Sequence, residues 1–186
     1  LWERLCSLDD ACKAVQSRSG AASEEVGARR RLINGAQSVS HRLRAALSAS
    51  EAVDNANLAV STRRQALSSF ALASSPHHAA ANEALDEARR ETDRTLVAWR
   101  EAVAAVAVQA AGVARDAARM GASTKTEDAA VAELRRQLIR TAEVAAPFAT
   151  PDNIAAAHLA ALDLAARRRE PIVVNEKGRE LYRNIT

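Results

Sequence analysis

Aromatic residues are nearly missing from this 186-residue chain, which has two tryptophans, two phenylalanines and one tyrosine, 3% in all. The large rings that fill most globular cores are too few to build one here. Glycine (6) and proline (4) are also scarce, which removes most of the punctuation that strands and tight turns need. Cys6 and Cys12 fall on one expected helix, pointing in different directions, and do not suit an intrachain disulfide. Free thiols fit a reducing compartment, so the chain is expected to be intracellular, cytoplasmic or nuclear. No apolar run approaches the ~18 residues of a membrane span. The closest, AVAAVAVQAAGVA at 102–114, is interrupted by Gln109. No secretory signal is visible, and the start at Leu1 together with the terminal run PIVVNEKGRELYRNIT reads as a fragment of a larger protein.

What the chain has in abundance is alanine, about a quarter of all residues, and arginine. Alanine has the best helix propensity and lets helices approach closely, so burial must come from small faces in tight contact. The net charge is +3, and Lys13, Lys125 and Lys177 are the only lysines. The joint excess of alanine and arginine is also what a biased genomic base composition produces, and so small a net charge argues against a strong polyanion binder.

Apolar spacing reads as helix throughout. Leu1, Leu5, Leu8, Cys12 and Val15 step by four and three, the seam of one amphipathic helix. A break, or a change of partner, is expected between Gly20 and Gly27. A second series runs Leu32, Ala36, Val39, Leu43, Ala46, Ser50, Val53, Asn57, Val60, Arg64, Leu67 and Ala71, a sustained heptad pattern. Ser50, Asn57 and Arg64 recur at one seam position, where polar groups restrict register, unless that seam is half exposed. Ser75 and Pro76 then supply an N-cap and a first helical residue. The third seam reads Ala81, Leu85, Ala88, Leu96, Trp99, Val103, Val106, Ala110, Val113, Ala117 and Met120, and Gly121 ends it. Thr124 and Glu127 form a capping box for a fourth helix through Val131, Leu134, Leu138, Ala142 and Ala145. Thr150 and Pro151 start a fifth, through Ile154, Ala157, Ala161 and Leu164, which Pro171 stops.

If the chain reverses at Ser74–Pro76, facing residues have numbers that sum to about 152. Leu67 then meets Leu85, Val53 meets Trp99, Ala46 meets Val106, Val39 meets Val113 and Leu32 meets Met120, every pair joining two seam positions. The expected fold is therefore all-α: a long antiparallel helical hairpin, a coiled coil, with a small helical bundle at its base. A single helix kinked at Pro76 is the competing arrangement. The expected organisation is one domain over 1–170, with the arm at about 32–120 and the bundle from 1–31 and 121–170, followed by a tail at 171–186.

No chemistry-bearing constellation stands out. His77 and His78 are adjacent, so their side chains diverge on a helix, and the positions four further on are Ala81 and Asn82, not ligands. His41 and His158 are isolated. No hydrolase signature, phosphate loop or CxxC pair occurs, and ALDEARRETDRTL mixes charges as a solvated helix face does. No catalytic residue, metal site or cofactor is expected, and the chain reads as non-enzymatic.

The expected function is a structural or scaffolding protein–protein interaction module. It would act by coiled-coil and bundle association within a larger intracellular assembly, of a cytoskeletal or chromosome-segregation type. Its protein partners are unknown, and it is expected to form a homodimer or hetero-oligomer through the arm. The internal seam would be Leu32, Val39, Leu43, Val53, Val60, Leu67, Leu85, Trp99, Val103, Val106 and Val113. A leftover face of Leu47, Leu58, Phe70, Leu72, Val97 and Val108 is where a partner would sit. A basic patch of Arg29, Arg30, Arg31, Arg42 and Arg44 leaves two further partners open. In helix length and basic faces the chain resembles BAR-type dimers, a resemblance that implies membrane binding, although the lysine-rich helix tips of that class are absent. Nucleic-acid binding draws on the same arginines, without aromatic interleaving or a recognisable module. The tryptophan-bearing helix is similar to that of spectrin-like repeats, whose helices are shorter.

Overall fold

The computed structural model describes residues 1–17, 23–69, 76–123 and 129–154, with the side chains of 23–26 and 120–123 excepted. Among the described residues the chain is all helix and turn, with no strand. Helix α1 spans Trp2–Gln16, α2 Ser23–Ser68, α3 Pro76–Ser123 and α4 Ala129–Ala145, followed by a 3₁₀ turn at Ala146–Phe148. At 1.5 Å per residue, α2 and α3 are each about 70 Å long.

Composition explains these lengths. Within α2 and α3 no proline follows the first residue, so nothing interrupts the backbone ladder. Pro76 stands at the first helical position of α3, where its missing N–H costs nothing. The break between α1 and α2 comes earlier than Gly27, which lies inside α2 with open space around it. Thr150 caps a new helical turn: the Asn153 N–H donates to its Oγ1 at 3.3 Å and the Ile154 N–H to its carbonyl at 2.9 Å. The capping box at Thr124, the remainder of the fifth helix, the boundary at 170 and the tail at 171–186 lie outside the described residues.

The two long helices lie side by side and run in opposite directions. Gly35 lies against Val113, whose γ-carbons would be 3.1 Å from a Cβ at that position. Further along, the Arg63 Nη1 donates to the Ala84 carbonyl at 2.8 Å. The paired numbers sum to 148 and 147, and a near-constant sum marks an antiparallel pair. This register differs from the expected sum of 152 by about one helical turn. Val113 meets Gly35 and not Val39, while Leu32 comes level with Ala117, Val39 with Ala110 and Ala46 with Val103. In these pairs a large residue stands opposite a small one, while Leu43 comes level with Val106.

Around one end of this pair, α4 packs on α3, and α1 packs on both α2 and α4, closing a ring of four helices. Asp9 of α1 contacts Ser40 and Arg44 of α2. The connection from Gln16 to Ser23 reaches at most ~25 Å, too short for α1 to run parallel to α2 from that contact. All four neighbours therefore alternate in direction. The core combines Leu5, Leu8 and Val15 of α1, Val39 and Leu43 of α2, Val103 and Val106 of α3, and Leu134 and Leu138 of α4.

Residues 50–69 and 76–98 continue past this bundle as a two-helix arm, about 30 Å long. The sequence decides where the covering helices stop. The α2 stripe that meets α1 through Ser40, Arg44 and Leu47 continues into the arm as Glu51, Asp54, Leu58, Ser61 and Gln65. On α3, the buried stripe of Ala107 and Ala104 continues as Arg100, Val97, Asp93 and Arg90. Mostly polar flanks need little cover, and among the described residues of the arm the buried ones are those of its central seam, Ala56, Leu85 and Ala88.

One expectation about hydropathy is corrected. Within Pro76–Arg119 an 18-residue window reaches a mean hydropathy of 1.4, so α3 is long and apolar enough to cross a membrane by length and composition. Valine and alanine lift the mean despite the interrupting polar groups. In the fold those residues supply two packing stripes, one against α2 and one against α4.

Candidate interaction surfaces

The residues of the expected seam fall in two groups. Leu32, Val39, Leu43, Leu85, Val103, Val106 and Val113 are buried, whereas Val53, Val60 and Leu67 on the arm are half-buried. The polar seam positions are different from those expected. Asn57 and Arg64 are exposed; of their preceding neighbours Ala56 is buried, and Arg63 is exposed but reaches across to α3. The Arg63 guanidinium ties α2 to the backbone of α3.

Trp99 is a second case. It was expected to meet Val53 inside the long-helix pair; the ring contact it makes is an edge-on one with Phe148, with centroids 5.0 Å apart and planes at 70°. Phe148 sits in the turn after α4, so the two rings close the bundle where the arm begins. The Trp99 Nε1 is buried there without a hydrogen-bond partner. Trp2 lies at the same level, 66% exposed, a surface ring that apolar spacing did not single out.

Of the expected partner face, Leu47 packs against the bundle core and does not belong to an outer surface. Leu58 (65% exposed) and Val97 (50%) are on the arm, while the exposed Val108 lies at the level of the bundle. Phe70 and Leu72 lie outside the described residues. Polar side chains surround these apolar ones. On the arm, Arg89 pairs with Asp86, and Arg90 and Arg94 both reach Glu87. The Arg90 hydrogen bond, and then the charges of Arg90 and Arg94, hold the Glu87 carboxyl below the usual range. On α4 a hydrogen bond from the Gln137 amide, at 2.6 Å, is the main cause of a similar lowering at Glu133.

The basic residues are spread along α2. Arg30 and Arg31 are exposed, and Arg29 and Arg42 are half-buried. Arg44 is committed to structure: its Nη2 lies 2.6 Å from the Asp9 Oδ2, while the Ser40 Oγ donates to the Asp9 Oδ1 at 2.6 Å. Ser40 is buried, so this carboxylate satisfies a hydroxyl that would otherwise be stranded. A polar cleft of about 350 Å³ opens beside it between α1 and α2, bordered by Cys12, Lys13 and Gln37. Both cysteines are free thiols; Cys6 is exposed and Cys12 buried. Burial, and secondarily the negative charge of Asp9, push the Cys12 thiol up to about 11. That thiol is protonated and unreactive at neutral pH.

Among the described residues no group of three His, Cys, Asp or Glu could hold a metal ion. His41 and His77 are exposed, His78 is half-buried at the start of α3, and His158 lies outside the described residues. No family model matches the chain, no curated protein resembles it, and no solved structure matches its fold.

Proposed function

We propose that the chain is a non-enzymatic structural or scaffolding module, a coiled-coil hairpin on a helical bundle, that associates with protein partners inside a larger intracellular assembly. The observation that carries this reading is the arm. Residues 50–69 and 76–98 extend about 30 Å beyond the point where α1 and α4 end, and they add nothing to the bundle core. They nonetheless keep a buried seam at Ala56, Leu85 and Ala88 and a cross-tie from Arg63 to Ala84. A projection held straight in this way displays surface far from the body that anchors it. Leu58 and Val97, each large and exposed among charged neighbours, are the places where an incoming helix would bury apolar area.

Sedimentation velocity of the full chain over a wide concentration range, together with small-angle scattering, tests the reading. Self-association or complex formation by an elongated particle is expected, weakened by the double substitution Leu58→Asp, Val97→Asp with helicity retained. A particle that stays monomeric at every concentration, and whose contacts with candidate assembly proteins ignore that double variant, would reject it.

A further inference from the structure

We propose that the outward ridge of α2 between Arg30 and Arg44 binds the phosphate backbone of a double-stranded nucleic acid. This is a function separate from association through the arm. From Gly27 to Ser50, α2 contains Arg29, Arg30, Arg31, Arg42 and Arg44 and no aspartate or glutamate. On α2 the acids flanking that stretch are Glu24 and Glu25 in the helix's first turn and Glu51 and Asp54 at the start of the arm. The basic stretch therefore coincides with the part of α2 that belongs to the bundle, where four packed helices hold it rigid.

Residues facing away from the core complete the ridge. Arg30, Arg31, Asn34, Gln37, Ser38 and His41 are all exposed. They form a row of hydrogen-bonding groups about 17 Å long, with no large apolar residue among them. Of the acids on the neighbouring helices, Asp9 is engaged by Arg44 and Ser40, Asp10 by Lys13, and Asp116 by Arg119.

The chemistry selects the partner. Guanidinium groups pair with phosphate oxygens through two parallel hydrogen bonds, and amide and hydroxyl side chains bond phosphate, sugar and base edges. An anionic membrane would use the arginines but has no role for Asn34, Gln37 and Ser38, and the ridge has no apolar wedge to insert. The duplex is the better fit.

If Arg30, Arg31 and Arg42 each neutralise one phosphate, affinity falls about 40-fold between roughly 50 and 200 mM salt. Fluorescence anisotropy with the full chain and a labelled mixed-sequence duplex of about 20 base pairs reads this directly. The triple variant Arg30→Gln, Arg31→Gln, Arg42→Gln is expected to weaken binding at least about tenfold at low salt and to flatten the salt dependence. Because Arg42 is half-buried, the pair Arg30→Gln, Arg31→Gln is measured beside it, with helicity checked for both. The arm variant Arg89→Gln, Arg90→Gln is expected to bind as the parent does. No binding at low salt, or a salt dependence unchanged by the ridge variants, would overturn the proposal. So would tighter binding to phosphatidylserine-containing vesicles than to the duplex, lost in the same variants.

Discussion

Replacing Leu85 by alanine separates the arm from the bundle. Leu85 is 3% exposed, and among the described residues two helices surround it, with Ala88 and Ala56 as the other buried residues of the arm seam. Burying a leucine side chain contributes about 1.5–3 kcal/mol. In a bundle core the cavity left behind adds to that loss, and Leu138, which is 0% exposed, should cost about 3–5 kcal/mol as Leu138→Ala. On the arm both flanks are open, so water or a small inward shift fills the gap and the cavity contribution is small. Leu85→Ala is therefore expected to cost about 2 kcal/mol, confined to the arm. Amide hydrogen exchange should quicken about 30-fold across 55–69 and 76–90, since each ~1.4 kcal/mol is a factor of ten. Exchange at Leu43, Val106 and Leu138 should stay at parent rates, and the urea midpoint of the whole chain should move by much less than in Leu138→Ala. A midpoint shift as large as that of Leu138→Ala, with exchange faster everywhere, would refute the reasoning, because arm and bundle would then open as one unit.

Three further outcomes follow from the packing. Gly35→Leu should destabilise by about 2 kcal/mol or more in a thermal melt, because even a Cβ would lie 3.1 Å from the Val113 γ-carbons on stiff, β-branched side-chain geometry. Asp9→Ala should cost about 1–3 kcal/mol by chemical denaturation, chiefly from the buried Ser40 hydroxyl left without its acceptor, and in the background Ser40→Ala the same change should cost clearly less. With iodoacetamide near pH 8, Cys6 should be alkylated at the rate of an ordinary exposed thiol. Cys12, raised from 9.0 to about 11, should react at least about 100-fold more slowly until denaturant opens the bundle, because its thiolate fraction is that much lower. The sign is that of an acid whose proton is held more tightly by the fold, so its protection should fade as pH climbs toward 11.

Much of the architecture was legible from spacing alone, and the misses have identifiable causes. Steps of three and four locate a seam because they return to one side of a helix, and Leu32, Leu43, Leu85 and Val106 are buried as that geometry requires. The same periodicity cannot fix the register of one helix on another. Sliding by about one turn lays seam on seam again, which is why sums of 148 and 152 both join apolar positions. On the arm Ala56 is buried beside the exposed Asn57, a difference of one residue that the seven-residue spacing alone does not resolve. The ring contact of Trp99 is a different case. Its partner Phe148 is 49 residues away on another element, and nothing in the local pattern of either residue announces the contact. The arginines of α2 could be counted in the sequence, but the separation of Arg44, tied to Asp9, from the outward Arg30 and Arg31 needed coordinates.

Because α2 and α3 run unbroken from the bundle into the arm, the molecule has no joint between the two. A rotation of these helices against α1 and α4 must be transmitted along their full length. A tilt of about 5° at the level of Trp99 and Phe148 would displace the far end by roughly 3 Å over a 30 Å lever. Small adjustments in the packing of those two rings would thus appear, amplified, at the tip, and the bundle core would serve as the fulcrum that sets where the arm points.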